Sequence, residues 1–186
     1  EAFLPPDLRE FAYDDSPLPI EEGQTISQPY IVALMAEALL LQGGETVLEI
    51  GTGSGYAAAV IAKIARHVYT IERYSQLAVK AAATLGEEGF DNVHVLHGDG
   101  TLGWPEHAPF DAIVVAAGGP RVPESLKHQL RIGGRMVIPV GSRDRRTQEL
   151  LRITRVAEEE FQTEELLDVR FVPLVGEEGW TPDRPD

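Results

Sequence analysis

Apolar residues recur along this chain in two rhythms that alternate. After Gln28 they fall at helical spacing, through Ile31, Leu34, Met35, Ala38 and Leu39, and Pro29 sits in the first turn. Gly43-Gly44 is expected to close that helix. Thr46–Ile50 is a short apolar run bounded by turn residues, as for a strand buried on both faces. The alternation then repeats. Ala57–Ala65 predicts a helix, Val68–Ile71 a strand, and Ser75–Leu85 a helix with Ser75 as N-cap. Val93–Leu96 and Ala112–Ala117 predict two more strands. Pro123–Leu130 predicts a short helix closed by Gly133-Gly134, ahead of a strand at Arg135–Val140.

Alternating strands and helices of this kind predict an α/β fold: a doubly wound, Rossmann-like sheet, mostly parallel. The rhythm changes after Gly141. Glu149–Val156 and Leu166–Val175 look like two long strands with no helix between them, which predicts a C-terminal antiparallel hairpin at one sheet edge. Residues 1–24 carry Pro5, Pro6, Pro17 and Pro19 among acids. Their Phe3, Leu4, Phe11, Tyr13, Leu18 and Ile20 predict a loop packed on the core rather than a disordered arm. Residues 1–180 are expected to form a single domain, and the ending TPDRPD (181–186) a tail or linker.

Composition narrows the partners. The 186 residues include 16 basic and 30 acidic side chains, a formal net charge of −14. Gripping phosphate backbones calls for clustered Lys and Arg. The one basic run, Arg143–Arg146, is interrupted by Asp144 and reads as a solvated loop, so nucleic acid is not an expected partner. The absence of cysteine removes disulfides, thiolate metal sites and a Cys nucleophile. Glu37 and Lys63 interrupt the two longest apolar stretches, so no membrane span is expected either. A cytoplasmic monomer is the expectation. The chain opens on Glu1 rather than Met, which reads as a natural start left out.

The chemistry gathers at strand ends. In Glu49-Ile50-Gly51-Thr52-Gly53-Ser54-Gly55-Tyr56 the glycines allow a sharp turn and close approach to a ligand. An apolar strand precedes it, a helix follows, and Glu72 closes the next strand about 20 residues on, where a carboxylate can accept from ribose hydroxyls. A dinucleotide fingerprint would place a third glycine at position 56 beneath a pyrophosphate. Tyr56 stands there, so the spacing favours S-adenosylmethionine, which has no phosphate. Asp99, with Gly100 beside it, could accept from an adenine amino group or could form an Asx turn. The strand Ala112–Ala117 should end facing the methionine half of the donor and the acceptor. His67, His94, His107, His128 and His97 show no ligand spacing, and no metal is expected.

At this point the chain resembles the protein-L-isoaspartate O-methyltransferase family. The likeness covers LPIEEGQTISQPYIVALM at 18–35, VLEIGTGSGY at 47–56, HGDGTLGW at 97–104 and PFDAIVVAAGGPRVPESL at 109–126. It continues in LRIGGRMVIPVG at 130–141 and VRFVPLVG at 169–176. The glycine turn is common to many methyltransferases; GQTISQP and VRFVPL are far more specific. The resemblance implies methyl transfer from S-adenosylmethionine to the carboxylate of L-isoaspartyl residues in damaged proteins and peptides. The resulting ester would collapse to a succinimide and so begin repair. It implies Ser27 beside the transferring methyl, with Thr25, Ile26 and Val172 in the peptide site. It implies Glu49, Gly51, Thr52, Gly53 and Ser54 around the methionine half, Glu72 on the ribose, and Asp99 with Gly100 at the adenine. It also implies a helical segment upstream of Phe3 that this sequence does not include.

Read alone, Ser27 would be a helix N-cap ahead of Pro29. The acceptor chemistry explains what is missing from the chain: a carboxylate is ionised at neutral pH, so attack on a sulfonium methyl needs no general base. Three rival functions stand beside this one. They are an O-methyltransferase for a small hydroxyl compound, a donor-binding domain without catalysis, and an NAD-linked oxidoreductase.

Overall fold

The computed structural model describes residues 1–142 and 147–181; the basic run Arg143–Arg146 and most of the expected tail lie outside them. Two short strands, β1 (Leu18–Pro19) and β2 (Thr25–Ile26), pair antiparallel ahead of helix α1 (Pro29–Ala38). Then come β3 (Thr46–Ile50), α2 (Tyr56–Ala62), β4 (His67–Glu72), α3 (Ser75–Glu87), β5 (Val93–His97) and β6 (Phe110–Val115). Helix α4 (Glu124–Gln129) leads into β7 (Leu130–Val140), β8 (Gln148–Arg155) and β9 (Phe161–Val169).

Seven strands form one sheet in the order β5-β4-β3-β6-β7-β8-β9. The pairs from β5 to β7 are parallel, and β8 and β9 add on antiparallel. This is the predicted doubly wound architecture with its edge hairpin. Alternate residues of each central strand face opposite layers. Val47, Val68, Ala112 and Val114 pack under α1 and α2, while Leu48, Ile50, Ile71, Ile113 and Val115 pack on the side of α4. Strand order reverses between β3 and β6, and the crevice beyond their carboxyl ends is where open α/β sheets take ligands.

Several boundaries differ from the sequence reading. α1 stops at Ala38, ahead of Gly43, because Leu40 takes a left-handed turn at φ 54°. The N–H groups of Gln42 and Gly43 then bond the Glu45 carboxylate at 2.7 and 2.8 Å. Ser75 is the first helical residue of α3 rather than its cap, which is Tyr74. Gly133 and Gly134 lie inside β7, where the register with β6 shifts, because Gly133 adopts φ 82° and a Cβ on Gly134 would press on backbone oxygens at 2.9 Å.

The second hairpin strand is Phe161–Val169, displaced toward the N-terminus from the expected Leu166–Val175. It is the sheet edge, so its Gln162, Thr163, Glu164 and Glu165 face solvent and give no alternating apolar signal. The N-terminal segment packs as expected through Leu4 and Ile20, while Phe11 and Tyr13 lie exposed.

Ile113 lies at the middle of the sheet with no exposed surface. Replacing it by alanine should cost about 2–5 kcal/mol by lost burial and cavity formation. Urea unfolding followed by circular dichroism would measure this, and an unchanged midpoint would contradict the assigned core.

Candidate active site

The turn after β3 is built from three glycines with positive φ: Gly51 at 94°, Gly53 at 53° and Gly55 at 90°. L side chains are strained in this region, so the turn cannot be copied with other residues at no cost. Its backbone is held to the neighbouring strands. Gly51 N donates to Ile71 O at 2.8 Å, Gly53 N to the Glu72 carboxylate at 2.9 Å, and Gly55 N to Thr52 O at 2.8 Å. The other Glu72 oxygen accepts from Tyr74 N at 3.0 Å. One carboxylate at the end of β4 thus ties the turn to the start of α3.

Most of the turn and the end of β4 line a crevice that encloses about 770 Å³ counting its open mouth. Glu72, Gly51, Thr52, Gly53, Ser54 and Gly100 all face it. Ala116 and Ala117, just past β6, form its far wall, as the sequence predicts. Arg73 is the cation on its lining, and its guanidinium lies 4.5 Å over the Tyr74 ring. A carboxylate-bearing crevice with no array of cations suits a cationic ligand that carries no phosphate.

Glu49 and Asp99 sit differently. Glu49 is wholly buried beneath the turn, on the α1–α2 side, and does not line the main crevice. One of its oxygens accepts from Thr70 Oγ1 at 2.6 Å, and that hydroxyl lies 2.6 Å from Thr52 Oγ1 in the turn. The other oxygen has no partner among the described residues. Burial pushes the Glu49 pKa up to about 8, opposed by the Thr70 hydrogen bond and reinforced by the charge of Glu72. At neutral pH it therefore carries its proton.

Asp99 spends its carboxylate on the protein. Oδ1 accepts from Thr101 N and Oγ1 at 2.8 and 2.7 Å, and Oδ2 from Glu177 N at 2.8 Å. The Asx-type cap is therefore formed, while Gly100 next to it reaches the crevice. A Cβ at Gly100 would meet Ile50 Cγ2 at 2.4 Å, so its missing side chain makes room for the core.

One rim of the crevice is brought in by the N-terminal hairpin. Ile20 at its bend is buried, and its Cδ1 would lie 3.5 Å from a Cβ on Gly53. An ion pair between Glu21 and Lys80 of α3 anchors the same bend. β2 then delivers Thr25, Ile26 and Ser27 to the rim of the crevice. Ser27 is not the cap of α1; that position is Gln28, and Asp15 accepts from Tyr30 N at 2.9 Å in its place. The serine hydroxyl makes no hydrogen bond within the described residues, so it remains free for a ligand.

Ser27 borders three cavities at once: the main crevice, a small apolar pocket over Glu49, and a second groove. That groove runs between Pro17, Thr25 and Tyr30 on one side and Asp168–Val172 on the other. Val172 borders both the groove and the crevice. The sequence reading did not find Arg73 or Gln24 on the lining, since neither lies in a glycine turn or closes an apolar run.

Histidines that look scattered in sequence partly converge. Tyr69 of β4 stacks on His107 at 4.1 Å and lies 4.9 Å from His94, its register partner on β5. Burial, with His67 and His107 nearby, depresses the His94 pKa. Among the described residues no group of three or more acids or histidines is arranged to hold a metal, and no helix is long and apolar enough to cross a membrane.

The family model described as protein-L-isoaspartate(D-aspartate) O-methyltransferase matches residues 1–179. The chain is 63% identical to a protein-L-isoaspartate O-methyltransferase of Rhodopseudomonas palustris, over all of this chain and 84% of that protein. A solved protein-L-isoaspartate O-methyltransferase superposes at TM-score 0.84 with 32% identity, covering 91% of this chain and 56% of the other. A Plasmodium falciparum protein described by the same activity was solved in complex with S-adenosyl-L-homocysteine. It superposes at TM-score 0.80 with 28% identity, covering 94% and 84% of the two chains.

Because the Glu49 proton is held by the fold, the sign of its pH effect is fixed. A carboxyl whose folded pKa exceeds its unfolded value stabilises fully at low pH and loses that contribution as pH rises toward about 8. Relative to Glu49→Gln, the native protein should lose melting temperature steadily between about pH 4.5 and about pH 8. Parallel curves for the two proteins in thermal scans would contradict a buried neutral acid.

Proposed function

The chain belongs to the protein-L-isoaspartate(D-aspartate) O-methyltransferase family, and from that premise we propose how its residues divide the work of methylating isoaspartyl carboxylates. The observation that carries this division is Ser27, with its free hydroxyl, standing where the crevice meets the groove. S-adenosylmethionine is assigned to the crevice and the isoaspartyl peptide to the groove.

Bound there, the donor supplies an electrophilic methyl, which the carboxylate oxygen takes as the carbon–sulfur bond breaks and its electron pair stays on sulfur. Glu72 is assigned to the ribose hydroxyls. Two backbone N–H groups already hold it in one orientation, and each oxygen keeps a lone pair for a donor. Gly51, Gly53 and Ser54 shape the wall around the methionine half, and Gly100, held in place by the Asp99 cap, the adenine end. Glu49 supports the turn from beneath, through the Thr70 and Thr52 hydroxyls, rather than touching the donor. Ser27 donates a hydrogen bond to the acceptor carboxylate, keeping its proton, and fixes the direction of attack. Thr25, Ile26 and Val172 hold the peptide.

No side chain is needed as a base, because the acceptor arrives ionised. Attack joins an anion to a cation and leaves two neutral products. Excluding water with Val32, Ile50, Ile71, Ala116 and Leu174 therefore favours the transition state over the separated charges. The methyl ester can then close to a succinimide, which returns part of the damaged residue to normal aspartate. Residues 1–180 acting as one domain, a monomer working in the cytosol without membrane or nucleic-acid partners, is the setting that the net charge of −14 and the absence of cysteine support.

Labelled donor offered with matched isoaspartyl and aspartyl peptides should label only the former, and the label should be released by base. Equal labelling, or none, would remove the repair reading in favour of another acceptor. Ser27→Ala should lower kcat about ten-fold, the worth of one hydrogen bond, while donor affinity by calorimetry stays within about two-fold. Glu72→Ala should do the reverse, weakening donor binding at least about ten-fold.

A further inference from the structure

We infer that Gln148 is a positioning residue for the acceptor: its side chain holds the Arg170–Val172 wall of the groove in place and thereby sets affinity for the peptide. The inference rests on the groove being the acceptor site.

β8 begins at Gln148, whose backbone pairs with Val169, the last residue of β9. Among the described residues no strand continues beside the chain beyond Val169, and the backbone of Phe171 has no partner there other than Gln148. The Gln148 carboxamide fills that place. Its Oε1 accepts from Phe171 N at 2.7 Å and its Nε2 donates to Phe171 O at 3.2 Å. One side chain thus continues the ladder for a further step.

The surroundings are cleared for this side chain. A Cβ on Gly118 would lie 2.7 Å from Gln148 Nε2, and one on Gly141 would lie 3.1 Å from its Cα and Cγ. Gly118 in turn grips the residues that follow, donating to Val172 O and accepting from Leu174 N, both at 2.8 Å. Phe171 and Val172 are therefore fixed by two different partners. Gln148 holds the residue facing the groove, and Gly118 holds the strap over the crevice. The groove wall contains Asp168–Val172, whereas the crevice touches this segment from Val172 onward. Loss of the Gln148 clamp should loosen the first and spare most of the second.

The test compares Gln148→Met, similar in length but unable to make either bond, with Gln148→Glu. Protonated glutamate restores one donor and one acceptor at the same positions, whereas its ionised form confronts Phe171 O with a second acceptor. Gln148→Met should raise the KM for an isoaspartyl peptide about ten-fold, the loss of two neutral hydrogen bonds, with kcat and donor affinity each within about two-fold. Relative to native enzyme, the peptide KM of Gln148→Glu should fall toward normal as pH is lowered toward the ordinary glutamate range of about 4.3 and the carboxyl regains its proton. Gln148→Met should show no such recovery.

Unchanged peptide KM in both variants would overturn the inference, as would peptide KM and donor affinity worsening together without recovery at low pH. Tyr30→Ala, on the opposite wall, separates the two readings. If it raises peptide KM while the Gln148 variants do not, only the positioning role fails. If none of the three moves peptide KM, the groove is not the acceptor site.

Discussion

Where a parallel sheet ends, its last N–H and C=O groups must find partners without filling the crevice they border, and this constraint shapes the functional edge of the molecule. Water satisfies such groups at an ordinary sheet end; beside a closed ligand site the protein must do it. Here the strands satisfy one another. Gly51 N reaches Ile71 O, Ala116 N reaches Ile50 O, and Gly118 takes both Val172 O and Leu174 N. Where strands run out, side chains continue: Glu72 for Gly53 and Tyr74, Gln148 for Phe171, Asp99 for Glu177. The cavity is what remains after these backbone groups have been paired around it.

Three acids at this edge play different parts because burial differs. Glu72 retains lone pairs toward an open crevice. Asp99 has become a fastener between the turn after β5 and the segment that closes the chain. Glu49, sealed below, carries a proton and acts as part of a hydroxyl chain with Thr70 and Thr52. Among the described residues Glu72 is the one acid lining the crevice, so any attraction for a cationic ligand is local to its end of the cavity.

The sequence disclosed the fold through its central strands, whose apolar runs at Thr46–Ile50 and Ala112–Ala117 have no other reading. It also disclosed the glycine turn and Glu72, because turn chemistry and strand-end acids follow local spacing. Boundaries governed by distant partners were hidden. The end of α1 depends on Glu45, and the cap of α1 depends on Asp15, thirteen residues upstream of Gln28. β9 gave no alternating signal because it is an edge. Whether Asp99 faces a ligand or the backbone could not be decided from its neighbours, since Glu177 meets it only in three dimensions. Gln148 had no motif around it, and its partner Phe171 lies on another strand's exit.

Gly100 has a consequence for how this site can change over evolutionary time. Its missing side chain is demanded by Ile50, the last residue of β3, whose Cγ2 occupies the space a Cβ would need. The two positions are therefore locked together: a bulkier residue at 100 becomes acceptable only after position 50 loses its branch. Ile50 also precedes the glycine turn and packs in the core beside Ile71, so shrinking it would loosen the turn as well. The Gly100 end of the crevice can then be remodelled only along paths that first weaken its foundation. Such a ratchet would preserve the glycine in descendants whether or not any ligand still touches it.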